Sequence, residues 1–547
     1  MSQVHGRGRA LVLALGALGV SLAREASAAD YEVQAQTAAQ AYEVTSPWNN
    51  VALERRRLMQ TLGFAAYHLQ GDHVPGEGDL QVRMMLRLDT DFGLSSHLDE
   101  GASGGETTFG VESGSHFVPG IDPARVDVMF AYVEGRDLAG GWLGFKAGRQ
   151  PLTDVLGWWS FDGGLVRVTT PFFAQIELYG GLEQRGGLPL STSRYEAQGV
   201  WRGSHGDYDS GARTPTAGDT PSFQEPGAAP AFGFALESNG PNWVHGRLSY
   251  RRVYNTGPSI TQQFPDPNGG SPTVDGLRLS SERIGYAANA GLPSVGGIKG
   301  GFAYDLYNQL VSHAFGGAEL YLTDQVIVGA DVDHFEPIFD ADSIFNWFTK
   351  EPSTTLTGRA EIEITDEVSL SAWGGGKVWR TEGDPDALGQ AECDALQIAG
   401  TCPSPDVFAN PNDPAVVRAR RAEDARETNV SVDGLGSLAG RYRSGLGSIE
   451  LRSMLQAGER GRRVGGEVAG EKPLDGGRFT LGARVSGYDW ADPTREDRDA
   501  TSFGYVLAGG FHPVQEAKVR LEWEHSVNEL VGSRFRVLGL VDVLVLR

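Results

Sequence analysis

The sequence predicts an all-β protein, a transmembrane, antiparallel up-and-down β-barrel of about 18–22 strands. Three observations predict it. Several segments alternate apolar and polar side chains, the connections between them are short and long in turn, and no apolar stretch beyond the amino-terminal region approaches the roughly 20 residues of a spanning helix. The 75 glycines also disfavour a helical membrane protein.

The alternation is clearest in residues 80–89, where every even position is apolar and most odd positions are polar or charged. Residues 174–179, 356–364 and 518–524 repeat the pattern. Because successive side chains of a strand point to opposite faces of a sheet, such segments have one apolar and one polar face. A soluble β-sandwich alternates in the same way, so this pattern alone leaves open whether the apolar face meets lipid.

The connections between the predicted strands favour a membrane barrel. Every second connection is short, as at 137–139, 323–324 and 513–515. The others include long segments at 94–123, 184–229, 256–275, 336–353 and 381–426. Short turns in the periplasm and long loops outside the cell are typical of outer-membrane barrels. Closure is required because lipid offers no hydrogen bonds to an open sheet edge.

The amino-terminal residues indicate export. Arg7 and Arg9 precede an apolar run over residues 11–22, and small residues at 26–29 follow it, which is the layout of a secretory signal. The run is shorter than the roughly 20 residues of a spanning helix. We expect residues 1–29 to be a cleaved signal peptide, residues 30–547 to form one barrel domain, and the outer membrane of a Gram-negative bacterium to be its location.

The charge balance and the cysteines limit the partners. With 47 basic and 70 acidic side chains the net charge is −23, so nucleic acid is excluded as a partner. The two cysteines, Cys393 and Cys402, favour a local disulfide in an exported chain. A two-cysteine metal site would need a nearby histidine, and none lies between them. We expect no metal site and no cofactor.

One region resembles a known family. Phe130–Glu134 is followed by Leu143–Gln150, which ends in Gly-Arg-Gln, and then by an aromatic residue and Asp-Gly at 161–163. This resembles the alginate-export and related substrate-specific porin barrels of Gram-negative bacteria, over about a tenth of the chain. The resemblance implies a loop that turns inward after Gly-Arg-Gln, and a charged constriction for which Arg149, Asp162 and Arg167 are candidates.

The polar strand faces supply the other candidate pore-lining residues. Both signs of charge occur, so crossed ion pairs can line an aqueous wall and select permeants. These candidates are Arg83, Arg87, Asp89, Arg125, Asp127, Lys146, Glu177, Arg247, Arg251, Arg359, Glu361, Glu363, Arg520 and Glu522. Residues 151–163, which include Trp158, Trp159 and Phe161, are predicted to be a loop. It either folds inward to constrict the lumen or stack on a sugar, or lies at the outer interface.

The sequence therefore predicts a non-enzymatic, porin-type channel for hydrophilic, charged or saccharide solutes, with membrane lipid and small permeants as its partners. A barrel this wide is not filled by side chains. Gly101–Gly105 matches a nucleophile elbow in spacing only, within a polar, Gly-rich loop. One alternative is a structural or surface-binding barrel with a plugged lumen. Another is a barrel lipase, which requires Ser and His paired on the outer face. Homo-oligomerisation is left open.

Overall fold

The computed structural model describes twelve stretches of the chain. These are residues 30–45, 51–71, 78–91, 126–184, 229–238, 240, 242–256, 277–338, 351–381, 429–491, 499–530 and 532–546. The predicted signal peptide and both cysteines, Cys393 and Cys402, lie outside them, so the disulfide stays a prediction. No helix within the described stretches is long and apolar enough to cross a membrane.

The described residues form 22 strands. The first eleven are β1 (Asp30–Thr45), β2 (Val51–Tyr67), β3 (Asp79–Asp91), β4 (Val126–Asp137), β5 (Leu143–Asp154), β6 (Gly157–Thr169), β7 (Ala174–Glu183), β8 (Pro230–Ser238), β9 (Val244–Asn255), β10 (Arg278–Leu292) and β11 (Gly296–Asp305). The others are β12 (Leu310–Thr323), β13 (Val326–Phe335), β14 (Ser353–Thr365), β15 (Val368–Thr381), β16 (Asn429–Ser444), β17 (Gly447–Gly458), β18 (Gly461–Leu474), β19 (Phe479–Ala491), β20 (Ala500–Val514), β21 (Ala517–Asn528) and β22 (Gly532–Leu546). Two short turns are helical, α1 (Leu138–Gly141) and a 3-10 turn at Asp475–Gly477.

The sheet closes on itself. Each strand pairs antiparallel with its neighbours in the chain, and β22 pairs with β1 from Glu32–Leu546 to Thr45–Ser533. First and last strands therefore leave no open edge between them. This confirms the predicted up-and-down barrel, at the upper end of the expected strand number.

The barrel has an apolar outer face and a polar inner face. Leu178, Leu356 and Leu521 project outward and are 58–61% exposed. On the neighbouring positions of β7 and β9, Glu177 and Arg251 project inward and are buried. The period-2 alternation of the sequence thus separates the two surfaces around the barrel.

The connections define two different rims. At one rim every connection is short. The longest spans residues 68–78, and the shortest are two residues long, at 324–325, 366–367, 445–446 and 515–516. The other rim carries the long connections, but also short ones at 155–156, 306–309 and 459–460. The prediction that residues 151–163 form a loop is wrong. Strands β5 and β6 continue through it as a tight hairpin, and the consecutive indoles of Trp158 and Trp159 hid the alternation.

Candidate functional site in the barrel interior

The hairpin formed by residues 149–162, called the inner hairpin below, leaves the barrel wall. Strand β5 pairs with β4 only from Gly135–Phe145 to Ala131–Arg149. Strand β6 pairs with β7 from Thr169–Gln175 to Phe161–Glu183, and a last backbone hydrogen bond runs from Gln184 N to the carbonyl oxygen of Ser160 at 2.9 Å. Beyond these points the two strands form a ladder with each other, from Gln150–Phe161 to the turn at 155–156. The upper half of this hairpin is therefore free to depart from the sheet.

The tip of the inner hairpin reaches strands that are not its neighbours. Asp154 Oδ1 lies 2.9 Å from Arg251 Nη2 on β9. A Cβ built on Gly285 of β10 would lie 2.6 Å from Val155 Cγ1. Because β7 and β8 stand between β6 and β9, the hairpin must cross the inner surface of the wall. The loop that the sequence places in the lumen or at the outer interface thus lies in the lumen.

Two glycines allow the hairpin to bend. Gly148 has a φ of 125°, and a Cβ there would lie 2.9 Å from the Cα of Tyr132. Gly163 approaches β7 so closely that a Cβ would lie 2.7 Å from the Cα of Gly181, with the carbonyl oxygen of Gly180 closer still. Glycine is required at Gly148 by the positive φ and the close contact, and at Gly163 by the close contact alone. The bend is therefore encoded at its two base positions.

An apolar cluster holds the inner hairpin against the wall. Trp159 and Phe161 stack with ring centroids 4.4 Å apart and are 5% and 0% exposed. They pack against wall residues that include Tyr179 of β7 and Val253 of β9. Burying each of these large side chains contributes about 2 kcal/mol. The Arg251 guanidinium also lies 4.9 Å above the Trp159 ring.

Arg149 and Asp162 close the base of the hairpin. Arg149 Nε and Nη2 donate to the two carboxylate oxygens of Asp162 at 2.7 and 2.8 Å. Arg149 Nη1 donates to the carbonyl oxygen of Val128 at 2.9 Å. Val128 lies on β4 just beyond the point where β5 leaves it. The guanidinium therefore satisfies the Val128 carbonyl oxygen, which would accept a backbone hydrogen bond from β5 if β5 continued along β4.

Ion pairs line the wall around the hairpin. The buried carboxylate of Glu177 accepts hydrogen bonds from Arg167 Nη2 at 2.9 Å and Arg247 Nη2 at 2.6 Å. Across the barrel, Arg359 donates to Glu319 at 2.5 Å and to Asp331 at 3.2 Å. The buried carboxylate of Glu177 is thus matched by two cations, which burial of a charge requires.

A further ion pair stands at the rim with the long connections. Arg460, in the turn between β17 and β18, lies 2.5 Å from Glu351 Oε2, and its Nε donates to Ser431 at 2.9 Å. The hydrogen bond from Arg460 lowers the pKa of Glu351, and the hydrogen bond to Glu351 raises the pKa of Arg460. Both groups are therefore charged at neutral pH. The pair joins the start of β14 to the rim of β16–β18.

The structure brings most candidate residues to one surface. The following project from the inner face: Arg83, Arg87, Lys146, Arg167, Glu177, Arg247, Arg251, Arg359, Glu361, Glu363, Arg520 and Glu522. Arg149 and Asp162 lie on the other face of the hairpin from Trp159 and Phe161. Arg125 and the side chains of Asp89 and Asp127 lie outside the described part. Within that part, no group of His, Cys, Asp and Glu side chains could hold a metal ion.

Sequence reasoning missed Asp154, whose side chain is fully buried beneath the hairpin tip. The sequence did contain a signal for Asp154. Lys146 points inward, and every second residue after it, through Gly148, Gln150 and Leu152 to Asp154, lies on the same face of β5. The interpretation of 151–163 as a loop ended the strand too early. Glu183, at the end of β7, was also missed, and it accepts a hydrogen bond from Trp159 Nε1 of the hairpin at 2.6 Å.

No family model matches the chain, and no curated protein matches it. Several solved structures are similar over nearly all of both chains. They include OccAB1 of Acinetobacter baumannii (9% identity, TM-score 0.39, 95% of this chain and 98% of that one). They also include OccK9 (OpdG) of Pseudomonas aeruginosa (10%, 0.41, 95% and 98%) and a BenF-like porin from Pseudomonas fluorescens Pf-5 (8%, 0.42, 95% and 99%). At such low TM-scores and identities, these similarities assign no activity.

Proposed function

We propose that the chain is a porin-type channel of the Gram-negative outer membrane that passes hydrophilic solutes through a lumen narrowed by the inner hairpin. One observation carries the proposal: a closed 22-strand sheet with charged residues on its inner face. A barrel of this strand number is too wide for its side chains alone to fill, which supports a water-filled passage beside the hairpin.

The outer surface supports a membrane location. Large apolar side chains such as Leu178 and Leu356 would be costly in water but match a hydrocarbon surface. The rim with short turns would face the periplasm and the other rim the exterior. Membership of an alginate-export-like subtype stays a prediction from residues 130–163. The mixed charges of the inner wall support a passage for charged or saccharide solutes, not for one sign of ion alone.

The proposal is tested by conductance. The protein, purified in detergent and added to a planar lipid bilayer, should insert and give stepwise increases in ionic current. Lipid vesicles containing it should also admit small sugars. Heat-modifiable migration on a detergent gel serves as the control that the barrel is folded. A folded, inserted barrel that carries no current would contradict the channel and favour a barrel with a plugged lumen.

One contact bears on the lipase alternative. His525 Nε2 lies 2.9 Å from Ser533 Oγ, and both residues project from the outer face of β21 and β22. A catalytic histidine also needs a carboxylate or amide that orients its other ring nitrogen. Within the described stretches no such group contacts His525. The pair therefore supports hydrolysis less well than the charged lumen supports a channel.

A further inference from the structure

Trp373 lies in the middle of β15, on the inner face of the barrel wall. Its cross-strand partners are Arg359 on β14, whose side chain belongs to the inner wall, and Ser437 on β16. Leu370 has the opposite parity on β15 and projects from the outer face, where it is 45% exposed. The nearest inner-face positions are small, with Ser437 beside the ring and Gly375 two residues along the strand. The indole is therefore 39% exposed toward the lumen.

Arg359 does not cover the neighbouring indole. Its guanidinium donates to Glu319 and Asp331, which lie on β12 and β13, away from β15. The side chain crosses the inner face of Gly329, where an added Cβ would lie 3.0 Å from Arg359 Nε. Glycine at this position thus gives the arginine a path toward its two carboxylates and leaves the face of Trp373 open.

Other aromatic rings of the inner wall are covered by cations of the chain itself. Each has the cationic end of an arginine or lysine 3.8–5.6 Å from its ring centroid. These are Tyr67 with Arg83, Tyr132 with Lys146, Trp159 with Arg251, Trp379 with Lys377 and Arg460, and Tyr488 with Arg463. Among the described residues, no cation takes this position over Trp373. Its electron-rich face is therefore open to a cation from solution.

Glu361 adds a negative charge close to this ring. It projects from the inner face of β14, and its cross-strand partners are Ile327 and Ser371, the latter two residues before Trp373. Diagonal neighbours of this kind lie roughly 7–8 Å apart. Glu361 is exposed and, in the part of the chain that the structure describes, forms no ion pair. The adjacent Arg359 is already shared by two carboxylates. Carboxylate and indole therefore lie within reach of one small solute.

We propose that Trp373 and Glu361 form a binding site for small organic cations, with quaternary ammonium compounds as the preferred ligands. The proposal rests on the proposed function as a channel, because only a solute in the lumen can reach this face. A quaternary ammonium group presents its charge on apolar methyl groups, which suit the face of an indole. Glu361 supplies the opposite charge and disfavours anionic solutes. A hydrated potassium ion would meet the carboxylate but would not need the ring.

The test uses single-channel currents in potassium chloride, with choline as the probe and its uncharged carbon analogue dimethylbutanol as the control compound. Choline should reduce the current of the parent protein in a concentration-dependent manner, and dimethylbutanol should not. Trp373→Leu should raise the half-blocking choline concentration about fivefold, the loss expected for one exposed cation–π contact. Trp373→Phe should restore most of the block, and Glu361→Gln should weaken it. Trp523→Leu is the matched control variant, since Trp523 is 44% exposed on the outer face of β21.

The outcomes distinguish the cation site from the channel. Currents that choline leaves unchanged, or equal block of the parent and of Trp373→Leu, would overturn the site while the channel stands. Equal block by choline and dimethylbutanol would show that the ring binds apolar solutes, and would overturn the choice of a cationic ligand. Absence of current from a folded barrel would overturn the proposed channel itself. Heat-modifiable migration shows for each variant that the barrel is folded.

Discussion

Arg251→Met should release the tip of the inner hairpin and enlarge the channel. Asp154 has a fully buried carboxylate, and Arg251 is its only cationic partner within the described residues. Removing one partner of a buried ion pair costs about 3–5 kcal/mol, because the remaining charge is left without compensation. The variant should give larger and more variable current steps in planar bilayers. It should also unfold at a lower temperature in detergent.

Two controls make the Arg251 result specific. Arg252 is the next residue of β9 but projects from the outer face, where it lies 3.7 Å from Glu282. Arg252→Met should therefore change the conductance little. The double variant Asp154→Leu, Arg251→Met removes both charges and should recover most of the lost stability. Parent-like current steps for Arg251→Met alone would contradict the anchoring role of this pair.

Gly163→Ala should prevent the barrel from folding correctly, whereas Gly164→Ala should have little effect. A Cβ on Gly163 would meet the backbone of Gly180 and Gly181, which cannot move without separating β6 from β7. A Cβ on Gly164 would find its nearest neighbour, the carbonyl oxygen of Lys146, at 3.9 Å. Overpacking of this kind costs about 1–3 kcal/mol, and more against rigid backbone.

The glycine pair is compared by the fraction of heat-modifiable, folded protein on a detergent gel and by the urea midpoint. We expect a marked loss of folded protein for Gly163→Ala and parent-like values for Gly164→Ala. Equal behaviour of the two variants would mean that the approach of β6 to β7 at the bend is not as close as described.

The fold could be predicted from the sequence because the two faces of most strands differ in polarity. In residues 80–89 and 356–364, the alternation of apolar and polar side chains indicates which positions face outward and which face inward. Most of the predicted pore-lining residues are therefore found on the inner face. The inner hairpin could not be predicted in the same way. Both of its faces carry apolar residues, since Trp159 packs on the wall while Trp158, on the opposite face, is 43% exposed, and the alternation is lost.

The position of the hairpin depends on contacts that are distant in sequence. Asp154 and Arg251 are 97 residues apart, and no local pattern pairs them. The resemblance at residues 143–163 did imply an inward turn, and it pointed to Arg149 and Asp162. Their role at the bend follows from the departure of β5 from β4, which only the register of the sheet reveals.

A cross-link tests whether the tip of the inner hairpin lies against β10, on the inner surface of the wall. Val155→Cys and Gly285→Cys, in a background with Cys393→Ser and Cys402→Ser, place two thiols where a Cβ on Gly285 already meets Val155. We predict that mild oxidation of the folded barrel forms an intramolecular disulfide and leaves the conductance close to that of the reduced form. Two thiols that remain free in a folded, conducting barrel would show that the hairpin tip does not lie against β10.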